Sequence, residues 1–98
     1  MQNEAEPTPK EFFDRADEII KLANTQLRDE HRSKVSASTL YAAARFNAFV
    51  SAASYSDGDQ MAADLSEISG YFVEQYKKML DEHLKDFASN FSRNIGSR

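Results

Sequence analysis

Apolar residues recur at steps of three and four along three stretches of the chain, and this spacing is typical of one face of an α-helix. The first stretch runs from Pro9 to about Asp29 and predicts the first helix. Thr8 and Glu11 form a capping box around Pro9, because the Thr8 hydroxyl can accept from free amides of the first turn. The apolar face of this helix consists of Phe12, Phe13, Ala16, Ile19, Ile20, Ala23 and Leu27.

The second apolar stretch predicts a helix over residues 37–55, with Ser36 or Ser38 as its N-cap. This stretch has no polar face, and Arg45 is its only charged residue. A helix that is apolar on all sides is usually surrounded by other elements. We therefore expect an all-α fold, an antiparallel bundle of three main helices, with the second helix in the middle and covered on at least two sides.

The third stretch predicts a long C-terminal helix that follows the turn at residues 57–59 and starts near Gln60, with Asp57 or Asp59 as its cap. Its length of about 33 residues corresponds to roughly 50 Å, against roughly 30 Å for each of the other two helices. Its last turns are therefore expected to extend beyond them and to expose Leu80, Leu84, Phe87 and Phe91. The alternative is a break at Gly70, with the two halves folded back over one core.

The composition fits one small helical domain over residues 8–93, with a disordered tail at residues 1–7 and a frayed C-terminus at residues 94–98. Seven Phe and four Tyr are the expected core residues, because each aromatic side chain can bury roughly 150–250 Å². The absence of cysteine excludes a disulfide scaffold, a Cys-ligated zinc site and an iron–sulfur cluster. No apolar run follows Met1, so we expect no secretory signal.

The charge balance argues against two classes of partner. The net charge of −4 disfavours binding to nucleic acid, and Asp29 and Glu30 offset the basic residues near the first link. Residues 35–56 are long enough to cross a membrane, but Arg45 at their middle and several Ser residues make insertion unfavourable. We therefore predict neither a nucleic-acid partner nor a membrane partner.

Polar side chains within the apolar second helix are the main candidates for a binding site. Tyr41 and Arg45 lie one turn apart on one face, and Asn47 lies on another. A buried guanidinium needs a partner, so Arg45 either pairs with an acid of another helix or grips an anionic ligand with help from Tyr41. The acids available for such a pair are Asp14, Asp17, Glu18, Glu67 and Glu74.

Other catalytic and metal-binding patterns are missing from the sequence. His31 lies in a link, and the residue three positions before His83 is Leu80, so the paired Glu-x-x-His segments of di-iron bundles are not met. There is no cysteine, no Gly-x-Ser-x-Gly and no glycine-rich phosphate loop. We therefore predict no metal, no cofactor and no catalytic residue.

Three segments resemble a known family. They are VSASTLYAAARFNAFVSAA at residues 35–53, RADEIIKLAN at residues 15–24 and YFVEQYKKML at residues 71–80. Together they are similar to the small bacterial family known as domain of unknown function 3144, over about residues 12–87. The resemblance implies a bacterial, cytoplasmic, all-helical protein, and it implies no activity that can be carried over.

These observations favour a non-enzymatic interaction module that pairs with itself as a homodimer. Leu80, Leu84, Phe87 and Phe91 are the predicted contact residues, because an exposed apolar stripe of this kind marks an interface. The alternative is a binder of a small anionic ligand, or an enzyme, with a pocket around Tyr41, Arg45 and Asn47. An additional, unidentified protein partner is compatible with the first interpretation.

Overall fold

The computed structural model of the protein describes residues 9–96, and within that range the only regular elements are helices. In chain order they are α1 (Pro9–Gln26), α2 (Arg32–Ala52), α3 (Gly58–Ala63) and α4 (Leu65–Ser89), followed by a π-helical turn at Ser92–Gly96. The predicted all-α fold is confirmed, with three main helices of which the C-terminal one is the longest. The predicted tail at residues 1–7, the cap Thr8 and the last two residues of the predicted frayed end lie outside the described residues.

The chain divides into two compact units, Met1–Phe49 and Val50–Arg98. The first unit contains α1 and most of α2, and the second contains the end of α2, α3, α4 and the π-helical turn. The single domain expected over residues 8–93 stays a prediction.

In the first unit, the link between α1 and α2 lies earlier than the apolar pattern predicts. The amides of Asp29 and Glu30 donate to the Gln26 carbonyl and close α1. The His31 ring then caps α2, because its Nδ1 accepts from the backbone N–H of Ser33 at 3.1 Å. The predicted caps Ser36 and Ser38 are wrong, since both lie inside α2. The imidazole nitrogen of His31 is thus the hydrogen-bond acceptor at the N-cap, where a Ser or Asp oxygen is the usual acceptor.

In the second unit, the predicted capping by Asp57 is confirmed. Its Oδ1 accepts from the backbone N–H of Gln60 at 2.9 Å, which starts α3. The helix is interrupted at Asp64 and not at Gly70, through which α4 continues without a break. Asp competes for backbone hydrogen bonds and favours helix ends, whereas a mid-helix Gly costs only about 1 kcal/mol. The resulting 25-residue α4 is about 38 Å long.

Few side chains are buried within either unit. Among the described residues Val35, which is 5% exposed, is the one buried side chain. The prediction that the aromatic residues form the core is wrong, because nine of the eleven are exposed and two, Tyr55 and Phe72, are half-buried. The prediction that the second helix is covered on two sides is also wrong, since Val35 is the only buried residue of α2.

The physical reason for this exposure lies in the number of helices per unit. In the first unit, α1 and α2 have only each other as neighbours, so at most one face of each can be covered within that unit. The small Ala and Ser side chains of α2 also cover little of the helix that faces them. Large apolar surfaces are consequently left available for binding.

Candidate interaction surfaces

The three polar residues singled out on α2 do not converge on one pocket. Tyr41 is 71% exposed, Arg45 is exposed and Asn47 is half-buried. Asn47 lines a groove between α1 and α2, and Tyr41 and Arg45 are not among the residues that line it. Their separation follows from helical geometry, because residues four apart share a face and Asn47 lies two positions beyond Arg45.

Arg45 has no hydrogen bond or ion pair within the part of the chain that the structure describes. The expected pair with an acid of a neighbouring helix is therefore not formed. An exposed guanidinium is hydrated by water and avoids the desolvation cost that would require an internal partner. Arg45 thus remains available to an external carboxylate or phosphate.

A groove of about 500 Å³ lies between α1 and α2 in the first unit. Its walls are formed by Ile19, Leu22, Ala23 and Gln26 of α1 and by Ser38, Thr39, Ala42, Ala43, Phe46 and Asn47 of α2. Every one of these residues is uncharged. The Thr39 hydroxyl donates to the Val35 carbonyl at 2.7 Å, so its hydrogen-bonding need is met within α2. The groove is consequently suited to an apolar occupant.

Sequence reasoning missed this groove. Leu22 lies outside the apolar face that the helical spacing assigns to the first helix, yet it lines the groove beside Ile19 and Ala23. The available signal was the combination of an off-face Leu on one helix with a run of Ala on the next. That signal becomes specific only when the packing of the two helices is known.

The C-terminal half of α4, together with Phe91 two residues beyond its end, exposes a row of apolar side chains, here called the α4 stripe. Leu80, Leu84, Phe87 and Phe91 are 39%, 58%, 45% and 57% exposed, and Tyr76 and Met79 beside them are also exposed. The stripe consists of these six residues. In the N-terminal half, α3 packs against α4, and Met61, Ile68 and Phe72 are half-buried. The exposed stripe is thus the part of the apolar face that α3 leaves open.

Charged residues are frequent on the other faces of the C-terminal half of α4. Lys77 and Asp81 form an exposed i,i+4 ion pair at 2.9 Å, which contributes little to stability. Asp86 accepts a hydrogen bond from the side-chain amide of Asn90 at 2.9 Å, close to the end of the helix. Glu82, one turn before Asp86, forms no ion pair within residues 9–96.

A hydrogen bond links the two segments that flank α3. The Tyr55 hydroxyl donates to Oδ2 of Asp64 at 2.7 Å. This bond to a carboxylate, with smaller contributions from desolvation and from the charges of Asp64 and Glu67, raises the pKa of Tyr55 above its ordinary value of 10.0. The pair orders the second unit and offers no group poised for catalysis near neutral pH.

The two histidines differ in their local surroundings. His31 caps α2, and His83 lies exposed on α4. Within residues 9–96 no cluster of three or more His, Cys, Asp or Glu side chains is arranged to hold a metal ion. Among the helices of that same range, none combines the length and the apolar character needed to span a bilayer.

These features define a small all-α protein with exposed apolar helical faces. The chain belongs to the family described as protein of unknown function DUF3144, whose model matches residues 12–88. This match confirms the family resemblance that the three sequence segments indicated.

A solved structure supports the same fold. The chain is similar to the NMR structure of the protein NB7890A from Shewanella sp, with 37% sequence identity and a TM-score of 0.72. The likeness covers 89% of this chain and 93% of that one. A comparison with curated proteins gives no match.

Proposed function

We propose that the protein is a cytoplasmic, non-enzymatic module that self-associates as a homodimer by burying the α4 stripe against a second copy. The observation that carries the proposal is the exposure of Leu80, Leu84 and Phe87 on one face of α4 and of Phe91 just beyond its end. Monomeric proteins rarely expose contiguous apolar patches larger than a few hundred Å², and larger patches usually bind another surface. A two-fold arrangement is the commonest way for such a surface to be covered by an identical chain.

The exposed area of the stripe can be compared with the area that a standard interface covers. Four side chains that are each about half exposed supply on the order of 400 Å², since large side chains of this kind bury roughly 150–250 Å². A standard interface covers about 800 Å² on each partner. Tyr76 and Met79 add to this area, but the six side chains of the stripe together still supply less than a standard interface covers on each partner. The proposed dimer therefore needs a second surface of each chain.

The decisive measurement is the mass of the protein in solution, by sedimentation equilibrium over a range of concentrations. The parent chain is expected to show twice the 11.1 kDa of one chain. The double variant Leu84→Asp with Phe87→Asp is expected to sediment as a monomer, because each carboxylate would have to be desolvated in the interface.

Two further variants separate the interface from general effects. Lys78→Gln with Lys85→Gln lowers the net charge by the same amount on the opposite face of α4, and the dimer should persist. Leu84→Ala with Phe87→Ala shortens the stripe but favours helix, so it should weaken the dimer while helical circular dichroism is retained. A monomeric parent chain, or an aspartate variant with the parent's mass, would contradict the proposal.

The anion-binding alternative has less support. Tyr41 and Arg45 do not line the groove that contains Asn47, and the residues of that groove carry no charge. If a small anion does bind, a concentration of 100 times its Kd should stabilise the protein by about 2.7 kcal/mol. A thermal-shift screen with phosphate, citrate and nucleotides tests this, and Arg45→Met is the variant that should abolish any shift.

A further inference from the structure

We propose that the α4 stripe of one copy docks into the groove between α1 and α2 of a second copy. This inference rests on the proposed self-association and names the surface that receives the stripe. The exchange is reciprocal, so each chain contributes one stripe and one groove to a two-fold dimer.

The sizes of the facing side chains are complementary. Small side chains at Ala23, Ala42 and Ala43 leave space in the groove between the larger lining residues Ile19, Leu22 and Phe46, whereas the stripe presents mainly Leu and Phe. Cores pack densely when large residues from one element face small residues from another. Two stripes placed against each other would instead set large side chains against large ones and leave both grooves open.

The lengths also agree. Residues 80–87 of the stripe and residues 19–26 of α1 each extend about 11 Å, and residues 38–47 of α2 extend about 14 Å. The central two turns of the stripe therefore match the length of the groove. Two such contacts per dimer cover stripe and groove on both chains and supply the second surface that a standard interface requires.

The charged residues at the edges of the two surfaces allow one complementary contact. Arg15 lies one turn before Ile19 on α1, at the edge of the groove, and Asp86 lies two turns after Met79 on the same side of α4. Both are exposed, and neither forms an ion pair within the described part of the chain. Lys77 and Asp81, at the other edge of the stripe, pair with each other. A contact between Arg15 of one copy and Asp86 of the other would orient the docking.

The first test fills the groove without touching α4. Ala42 lines the groove, whereas Ala44 lies on the opposite side of α2 and does not line it. Ala42→Phe is expected to raise the dimer dissociation constant at least about tenfold, as overpacking of a fitted surface does. Ala44→Phe adds the same side chain and should leave the constant unchanged. Equal effects of the two variants, or none from Ala42→Phe, would overturn the inference.

The second test uses the absence of native cysteine. An Ala42→Cys chain is mixed with a ¹⁵N-labelled Leu84→Cys chain and treated with a short bismaleimide, and the products are weighed by mass spectrometry. We expect dimers of mixed mass to dominate.

Each other product excludes a specific arrangement. Efficient coupling of Leu84→Cys chains to each other would show that stripe meets stripe, so that the groove assignment fails while self-association stands. Coupling within single chains of an Ala42→Cys, Leu84→Cys double variant, at a dilution where chains are monomeric, would show that a chain fills its own groove and would also overturn the inference. A parent chain that is monomeric at every concentration overturns both this inference and the proposed function.

Discussion

The hydroxyl of Tyr55 donates a 2.7 Å hydrogen bond to the carboxylate of Asp64, nine residues further along the chain. Tyr55 lies in the link after α2, and Asp64 occupies the interruption between α3 and α4. The bond therefore closes a loop around α3, a helix too short to be stable alone. It holds α3 where it covers the first turns of α4 and leaves the α4 stripe open.

Removing the hydroxyl should loosen this loop. Tyr55→Phe is expected to lower the Tm by a few degrees, because Asp64 loses a hydrogen-bond donor. Tyr71→Phe is the matched control, since Tyr71 is exposed and its hydroxyl forms no hydrogen bond within residues 9–96. Thermal melts at one fixed protein concentration compare the two, and equal Tm values for both variants would contradict the expectation.

The same bond predicts a dependence of stability on alkaline pH. Because the bond to Asp64 raises the pKa of Tyr55, the unfolded chain loses this proton first as the pH rises. The stabilisation is complete below about pH 10, where the unfolded tyrosine titrates. It is then lost as the pH rises through the folded pKa.

Absorbance of tyrosinate near 295 nm tests this directly. In difference titrations against Tyr55→Phe, the Tyr55 transition should lie above the ordinary tyrosine value of 10.0, and Asp64→Asn should bring it down. A Tyr55 transition that does not respond to Asp64→Asn would rule out the carboxylate as the cause.

The cap formed by His31 predicts a loss of stability when the ring is removed. His31→Ala should lower the free energy of unfolding by about 1 kcal/mol, as the loss of an N-cap acceptor does. His31→Asn should retain most of it, because an Asn oxygen accepts from the same amide. Urea unfolding at fixed protein concentration measures the change.

His83 supplies the control for that series. His83 is exposed inside α4 and caps no helix, so His83→Ala should have a small or stabilising effect. Faster exchange of the Ser33 amide in His31→Ala, but not in His83→Ala, would locate the change at the start of α2. The same loss in both variants would exclude a capping role.

Replacing Gly70 by alanine should increase the stability of the protein. A methyl group added there meets no atom within 4 Å, and the position is in the interior of α4. Gly70→Ala should therefore raise the free energy of unfolding by about 1 kcal/mol through helix propensity and a less flexible unfolded chain. Gly58→Ala, at the first position of α3, should give a smaller gain. Destabilisation by Gly70→Ala would mean that the structure needs glycine at this point.

Local signals explain why the helices themselves were predictable. The spacing of apolar residues and the Asp57 cap depend on neighbours within one or two turns, and both are present in the structure. The cap of α2 was harder to predict, because a histidine ring is a rare acceptor at that position. The interruption at Asp64 was not predicted, because glycine has the lower intrinsic helix propensity of the two residues and propensity therefore pointed to Gly70.

The candidate interaction surfaces were likewise predictable only in part from the sequence. The α4 stripe follows from the period of one helix, and its exposure agrees with the sequence pattern. The groove depends on how α1 and α2 lie relative to each other, and its residue Leu22 lies outside the apolar face of α1. Arg45 was expected to be buried because α2 is apolar on all sides. The small Ala and Ser side chains of α2, however, leave the guanidinium of Arg45 open to water.

Val35 is the one buried side chain within residues 9–96, and this has a consequence for how much of this protein a cell must make. If the surfaces that hold the fold together lie between copies, dilution removes them, and folding becomes linked to assembly. The melting temperature then rises with concentration. Scarce chains are open to proteases, whereas abundant chains protect one another, so that the level of expression sets the lifetime of each molecule.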